Sequence, residues 1–166
     1  INMIFKAKKH NTKLYNTLLT LSRNLFFYKN IGLQDSFETR IYLMFFHFSI
    51  MMIIFKKKHI KFSQSDYDIF FHNIENNLRE LGFGDVSVNK KMKELNKILY
   101  DILLKLDTEN KKDLKINENL ELKNFTPLKS KKKQEYKLFT IYLNKFYKFC
   151  FELPLNNMIR DAINFK

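Results

Sequence analysis

His72 and Glu75 form the first pair of residues whose types and spacing suit chemistry, because three helical positions place an imidazole beside a carboxylate. Carboxylate-bridged di-iron bundles carry Glu-x-x-His on two helices, together with two further glutamates. This chain has one such pair, and the order is reversed. We therefore interpret the pair as part of a solvated polar face, and we predict no metal site and no cofactor.

The other reactive residue types also point away from catalysis. His47 lies inside an apolar run, which predicts a core histidine with one hydrogen bond. Cys150 is the single cysteine, so an internal disulfide and a multi-cysteine metal site are excluded, and its place on an apolar stripe predicts a buried thiol. The chain has no phosphate-binding loop, dinucleotide fingerprint or nucleophile elbow. We predict that the protein is not an enzyme.

The charge of the chain predicts an anionic partner. Thirty Lys and Arg residues oppose 17 Asp and Glu residues, for a net charge of +13. Such a charge favours contact with RNA, anionic lipid or an acidic protein surface. No motif that reads bases is present, so we expect no sequence-specific DNA binding. The predicted basic patch consists of Lys56, Lys57, Lys58, Lys131, Lys132 and Lys133. The alternative is a solvated lysine-rich face that has no partner.

The fold class follows from the number of glycines and prolines and from the spacing of the apolar residues. Three glycines and two prolines are too few for the turns of an all-β or α/β fold of 166 residues. Apolar residues recur instead with the 3.6-residue period of helices. We predict an all-α, single-domain multi-helix bundle over residues 1–166, with a basic N-terminal tail at 1–11 and a polar connection at 108–130. The tail has too short an apolar run for a signal peptide.

Four helical segments follow from these stripes outside the central pair of helices. The first runs from about Leu14 to Tyr28, and the second from about Glu38 to Lys58. The second contains the most apolar run, Ile41 to Phe55, whose fifteen residues fall short of the roughly 20 that span a bilayer. We interpret it as a buried central helix, with an interface-embedded segment as the alternative. The last long helix is predicted from Lys131 to Leu153, and Pro154 begins a terminal piece whose apolar residues are Ile159, Ile163 and Phe165.

A Gly-x-Gly corner joins two central helices. The first is predicted to begin at Ser65 as its cap and to end at Gly82, a residue suited to positive φ. Gly84 frees the next pair of dihedral angles, and Asp85 or Ser87 then caps the second helix. The apolar stripe of the first helix is Tyr67, Phe70, Phe71, Ile74, Leu78 and Leu81, and that of the second is Met92, Leu95, Leu99, Ile102, Leu103 and Leu106. Five carboxylates between Asp66 and Asp85 make this corner acidic in a basic chain.

The stretch NLRELGFGDVSVNKKMKEL resembles the signature of the ubiquinol-cytochrome c chaperone family, in which NLRE-G-GD-SV-K-MK follows an aromatic-rich helix. The matching residues are Asn77, Leu78, Arg79, Glu80, Gly82, Gly84, Asp85, Ser87, Val88, Met92 and Lys93. Upstream, the segment from Gly32 to His47 resembles the family's G-D-----R pattern and its histidine-bearing apolar helix. The resemblance covers roughly the first two thirds of the chain.

This resemblance implies a non-enzymatic assembly chaperone for the ubiquinol-cytochrome c reductase (complex III), one that binds newly made cytochrome b or another subunit. It also allows a second assembly factor, the ribosome or an anionic membrane surface as partners. The implied location is the cytoplasmic or mitochondrial-matrix side of the inner membrane, with peripheral association. The alternative is a basic helical protein that binds RNA, the ribosome or a membrane surface.

We place the client or partner site at the corner. Arg79, Glu80 and Asp85 are predicted to form a polar latch that holds the angle between the two helices, and a groove beside it is predicted to receive the client. The candidate site residues are Arg79, Glu80, Gly82, Gly84, Asp85, Val88, Met92 and Lys93.

Overall fold

The computed structural model describes residues 12–106, Leu114 and residues 133–166. These residues form helices, and no strand occurs among them. The predicted tail at 1–11 and the connection at 108–130 lie outside the described residues, apart from Leu114, which is buried. The assignment of the whole chain to one domain stays a prediction.

The helices confirm the predicted all-α bundle. In chain order they are α1 (Lys13–Ser22), α2 (Leu25–Lys29), α3 (Phe37–Lys57), α4 (Gln64–Glu80), α5 (Asp85–Leu106), α6 (Lys133–Phe151) and α7 (Leu155–Asp161), and a short 3-10 turn (Ala162–Asn164) follows.

Helix α3 is the centre of the bundle, and α1, α5 and α6 all pack against it. Its first turn is held by Ser36, whose Oγ accepts a hydrogen bond from the amide of Thr39 at 3.1 Å. Every residue from Ile41 to Met51 is buried. Among the described residues α3 is the one helix long and apolar enough to cross a membrane, yet 78% of its most apolar window is buried inside the protein. The prediction of a buried central helix is confirmed.

The lysines that end α3 tie it to α6. The ammonium of Lys57 lies 4.9 Å from the centre of the Tyr147 ring, and that of Lys58 lies 4.7 Å from the centre of the Phe151 ring. Lys58 also donates to the backbone carbonyl of Phe151 at 2.6 Å. Two members of the predicted basic patch therefore take part in packing as well as carrying charge. Lys131, Lys132 and the side chain of Lys133 lie outside the described residues.

The prediction of one continuous helix from Leu14 to Tyr28 is wrong. The chain leaves helical geometry at Arg23, and the side chain of Asn24 accepts from the amide of Phe26 at 3.0 Å. That hydrogen bond starts a second helix, because an asparagine side chain competes with the backbone for amide donors. Leu25 is consequently 61% exposed rather than part of the apolar stripe.

The terminal segment also differs from its predicted pattern. Met158 and Ala162 are its buried residues, whereas Ile163 is 47% exposed. The change from α7 to a 3-10 turn at Ala162 alters the angular spacing of successive side chains, so a 3.6-residue stripe cannot continue through Ile163. Phe165 packs its ring against the rings of Tyr142 and Phe146, as the apolar prediction for that residue requires.

His47 makes two hydrogen bonds rather than the single one that we predict from sequence. Its Nδ1 lies 2.7 Å from the carbonyl oxygen of Leu43, and its Nε2 lies 2.8 Å from the hydroxyl of Tyr142. The rings of Phe27 and Phe146 pack edge-on against the imidazole. Both ring nitrogens are therefore satisfied within a buried aromatic cluster.

Candidate functional site

Helix α4 is the first of the two helices that meet at the corner. Ser63, not Ser65, caps it, because the Ser63 Oγ accepts from the amide of Asp66 at 3.2 Å. Its inward residues Phe70 and Phe71 contact the rings of Phe45 and Phe48 on α3. The predicted stripe holds from Phe70 to Leu78, but Leu81 is 57% exposed because it follows the last helical turn.

The corner itself is a Schellman motif. Gly82 has φ of +96°, as its sequence position predicts, and its amide bonds the carbonyl of Arg79 at 2.9 Å. The amide of Phe83 bonds the carbonyl of Leu78 at 3.1 Å. These two hydrogen bonds end α4 in a defined direction.

Gly84 starts the second helix of the corner. Its carbonyl accepts from the amide of Val88 at 2.9 Å, and α5 begins at the following residue, Asp85. The prediction that Asp85 or Ser87 caps α5 is therefore wrong by at least one position. Asp85 instead occupies the first turn, where its carboxylate lies at the positive end of the helix dipole.

Arg79 connects the two helices across the corner. Its guanidinium pairs with the carboxylate of Asp85 on α5, and it also pairs with Glu75 on α4 at 3.0 Å. The hydrogen bonds that Arg79 donates to Asp85 and then to Glu75 raise the pKa of Arg79. Asp85 is 83% exposed in its side chain, so the pair lies at the surface. The predicted latch thus contains Arg79 and Asp85, with Glu75 in the place that we predict for Glu80.

In the described residues, no cluster of metal-ligand side chains accompanies these carboxylates. His72 lies 3.7 Å from Glu75 and is exposed. Within the described part of the chain, no group of three His, Cys, Asp or Glu side chains is placed to hold a metal ion.

Glu80 lies on a groove beside the corner, enclosed by α1, α3 and α4. The groove has a volume of about 250 Å³, and its apolar lining includes Leu19, Phe37, Ile41 and Met44. Polar and exposed side chains complete it, namely Tyr15, Arg23, Arg40, Asn77, Glu80 and Leu81. The amide of Asn77 donates to the Tyr15 hydroxyl, which holds α4 against α1.

An ion pair positions Arg40 at this groove. Its Nε and Nη2 donate to the two carboxylate oxygens of Asp35 at 2.7 and 2.9 Å. This two-pronged geometry is specific to arginine and fixes the plane of the guanidinium. The Arg40 hydrogen bond also lowers the pKa of Asp35, because it favours the charged carboxylate.

Of the eight predicted site residues, Glu80 lines the groove and the other seven do not. Arg79, Gly82, Gly84 and Asp85 belong to the corner beside it, and the remaining three lie farther along α5. Val88 is fully buried beneath the corner and Met92 is half-buried, so both pack α5 onto the bundle. Lys93 is exposed on the outer side of α5. None of the three lines the groove.

Residues from two separate stretches of sequence meet at the groove. Arg40, which Asp35 holds in place, lies in the first turn of α3, and Asn77 and Glu80 lie in the last turn of α4. A comparison with known families matches residues 29–121 to the model described as ubiquinol-cytochrome c chaperone. The chain belongs to the ubiquinol-cytochrome c chaperone family.

Membership of the ubiquinol-cytochrome c chaperone family indicates a chaperone role in the assembly of complex III, which is a non-enzymatic role. The matched range contains α3, α4, α5 and the glycine corner. No curated protein and no solved structure matches the chain.

Sequence reasoning missed the contribution of α1 to the site. Tyr15, Leu19 and Arg23 line the groove although they lie outside the matched range. One signal was present, because arginine is scarce in this lysine-rich chain. Of its four arginines, Arg23 and Arg40 line the groove and Arg79 spans the corner. Arginine at these positions indicates planar, directional pairing rather than charge alone.

Proposed function

We propose that the protein is an assembly chaperone for complex III that binds newly made cytochrome b, and that the client docks in the groove between α1, α3 and α4. The observation that carries this proposal is the convergence of the two family-like stretches on one groove with an apolar lining. Arg40 comes from the first stretch and Glu80 from the second.

The chemistry of the groove suits a segment of an apolar polypeptide. A volume of about 250 Å³ is below the roughly 300 to 1,000 Å³ of sites for small-molecule ligands. It is suited instead to bulky side chains presented by a helix, which is how amphipathic helices dock in apolar grooves. Arg23 and Glu80 carry opposite charges at the groove and supply orientation to such a segment.

The client class explains why a chaperone is needed. Membrane-spanning helices expose apolar side chains until they are inserted and packed, and exposed apolar patches promote aggregation in water. Leu81 and Phe83 are exposed at the corner, by 57% and 43%, and extend the apolar character of the groove toward solvent. A surface of this kind covers apolar segments of cytochrome b before its partner subunits do.

We place the protein peripherally on the inner membrane, on the cytoplasmic or mitochondrial-matrix side, where a newly made membrane protein is available. The net charge of +13 supports contact with anionic lipid or with ribosomal RNA. A second assembly factor is a further proposed partner at the corner.

The test is co-purification of the tagged protein from native membranes after a pulse of labelled amino acid. Leu81→Asp puts a charge into the groove at an exposed position. Ile141→Asp is the matched control, since Ile141 is 41% exposed on α6 and does not line the groove. We expect Leu81→Asp to lose labelled cytochrome b and to lower complex III levels, while Ile141→Asp retains both. Thermal unfolding of the two variants checks that both are folded.

Retention of cytochrome b by Leu81→Asp at the level of the control would contradict the groove as the client site. Co-purification of ribosomes or lipid without any complex III subunit would instead support the alternative of a general RNA-binding or membrane-surface protein.

A further inference from the structure

The outer face of α5 carries a regular row of exposed side chains. Its members are spaced by four and three residues in turn, which places them on one stripe of the helix. They are Val86, Lys90, Lys93, Lys97, Tyr100 and Leu104, and all six are exposed. The buried residues of α5, including Leu95 and Leu99, occupy the opposite side. We call this row the α5 outer face.

The α5 outer face is cationic at its centre and apolar at its ends. Val86 is 85% exposed, Tyr100 59% and Leu104 78%, and lysines fill the three positions between. No acidic residue belongs to the row. The nearest acids on α5, Glu94 and Asp101, lie along its flank, where Lys91 and Lys105 pair with them at 3.8 and 2.8 Å.

The C-terminal end of this face adjoins a second apolar depression. Its volume is about 230 Å³, and Tyr100 and Leu104 line it together with Met52, Ile53, Lys56 and Leu103. Exposed apolar residues scattered singly need no explanation, but here three of them share one stripe with three lysines and two border a depression. This combination of positive charge and apolar side chains on one face is typical of surfaces that lie on lipid.

We propose that the α5 outer face is the surface by which this protein lies on an anionic lipid bilayer. The lysines contact lipid phosphates, and Tyr100 and Leu104 enter the boundary between headgroups and acyl chains. The row from Val86 to Leu104 rises about 27 Å along one side of the helix, so the helix must lie parallel to the membrane for all six residues to reach it.

Lipid fits this face better than nucleic acid or a folded protein does. The row has no amide side chain to hydrogen-bond base edges, and it has one aromatic ring where stacking of successive bases needs several. An acidic protein partner would satisfy the lysines. It would also have to place apolar groups at both ends of a row that is about 27 Å long. A bilayer presents negatively charged phosphates and, just beneath them, apolar acyl chains along the whole row.

This inference deepens the peripheral location in the proposed function, but it does not depend on the client groove. Val86 lies one turn from the glycine corner, whose Leu81 lines that groove. A protein that lies on its α5 outer face therefore brings the glycine corner close to the membrane.

The first experiment measures binding of the purified full chain to vesicles by co-sedimentation, without any client. Vesicles of phosphatidylcholine with phosphatidylserine are compared with vesicles of phosphatidylcholine alone. The test variant is the triple change Lys90→Gln, Lys93→Gln and Lys97→Gln. The matched control removes three exposed lysines of α6 by Lys137→Gln, Lys145→Gln and Lys148→Gln, so both triples have the same net charge.

We expect the α5 triple to lower the partition constant on phosphatidylserine vesicles roughly a hundredfold, because each basic residue near an anionic surface contributes about a fivefold factor. The α6 triple should stay within a few-fold of the unmodified protein. Equal losses in the two triples would overturn the proposal, since diffuse charge would then explain binding. Absence of binding to phosphatidylserine vesicles would also overturn it, and binding to polyglutamate but not to vesicles would assign the face to an acidic protein.

The second experiment reports insertion. The chain has no tryptophan, so Tyr100→Trp places a single fluorophore on the α5 outer face and Ile141→Trp places one on α6. We expect the emission of Tyr100→Trp to shift to the blue when phosphatidylserine vesicles are added, with no shift for Ile141→Trp. The proposed orientation would be overturned if the emission of both variants shifted, or if neither shifted. Failure here leaves the client co-purification test unaffected, so the two proposals can fail separately.

Discussion

The hydroxyl of Tyr142 on α6 donates a hydrogen bond to Nε2 of His47 on α3, at 2.8 Å and with both side chains buried. The direction follows from the other ring nitrogen. Nδ1 lies 2.7 Å from the carbonyl oxygen of Leu43, which only accepts, so Nδ1 carries the proton and Nε2 is free to accept. Burial lowers the pKa of the imidazole to about 4, so the ring is neutral at pH 7 and Nε2 carries no proton.

Stability should therefore depend on His47 at acidic pH. The folded-state pKa lies below the ordinary value of about 6.5, so the folded protein resists protonation that the unfolded chain accepts. His47 therefore contributes to the free energy of unfolding above pH 6.5. As the pH falls toward 4 this contribution is lost, which lowers the free energy of unfolding by about 3 kcal/mol. Urea unfolding at a series of pH values measures it.

His47→Gln is the informative variant for that measurement, because it cannot titrate. Its free energy of unfolding should fall less steeply between pH 6.5 and 4 than that of the unmodified protein. Tyr142→Phe removes the hydrogen bonds of the hydroxyl but keeps the imidazole, so this variant should be less stable at neutral pH and keep the steep dependence. Parallel curves for His47→Gln and the unmodified protein would contradict the assignment.

Gly82 should be intolerant of a side chain for conformational reasons alone. Its φ is +96°, and a methyl group placed there would meet no atom within 4 Å. Gly82→Ala should therefore cost about 1 kcal/mol from backbone strain. Thermal unfolding should show a fall of about 2 to 4 °C for a domain of this size.

Gly84→Ala is the matched control for Gly82→Ala. A methyl group at Gly84 also meets no atom within 4 Å, and this glycine does not have positive φ. We expect its melting temperature to stay close to that of the unmodified protein. A larger loss at Gly84 than at Gly82 would show that the corner depends on something other than the left-handed residue.

The Arg79 and Asp85 pair should matter more to activity than to stability. Both side chains are exposed, and exposed ion pairs contribute little to folding. Asp85→Asn and Arg79→Gln should therefore keep the helical content and melting temperature nearly unchanged. If the corner is a client or partner site, each should fail to restore complex III in a strain that lacks the chaperone.

Arg160→Gln provides the comparison, since Arg160 also pairs with a carboxylate, Asp161, at the surface far along the chain. It should restore complex III fully. Normal levels of the complex with both Asp85→Asn and Arg79→Gln would refute the latch as a functional element. The motif would then serve only to pack one helix on the next.

Cys150 should be unreactive until the protein unfolds. Its side chain is fully buried, and burial raises the pKa of the thiol to about 12. Because the thiolate is the reacting species, both inaccessibility and the raised pKa slow alkylation. A thiol reagent should label one group per chain in urea and almost none in the native protein. Rapid labelling under native conditions would show that α6 opens readily.

Several elements could be predicted from the sequence because their determinants are local. The limits of α3 follow to within about a residue from its apolar run, the serine that caps it and the lysines at its end. Gly82 ends α4 with positive φ, as a glycine after an apolar stripe predicts. The inward residues of α6, such as Phe139 and Cys150, also follow from periodicity, because helical neighbours lie three and four residues apart.

The errors occur where local patterns compete or helices end. In the sequence, the apolar stripes continue through Leu25, Leu81 and Ile163, yet all three residues are exposed. A new helix begins at Leu25, α4 ends before Leu81, and the helix tightens to a 3-10 turn at Ile163. The caps also differ from the prediction. Ser63 caps α4 in place of Ser65, and Gly84 precedes α5 in place of the predicted Asp85 or Ser87.

The sequence by itself determined that the chain is helical, which stripes are apolar and where the glycine corner lies. Tertiary structure alone decided what those elements meet. His47 finds its partner in Tyr142, 95 residues away, and Arg23 comes to line the same groove as Glu80. The physical reason is range: propensity, capping and helical periodicity act within about one turn, whereas a groove or a buried hydrogen bond depends on how separate helices pack.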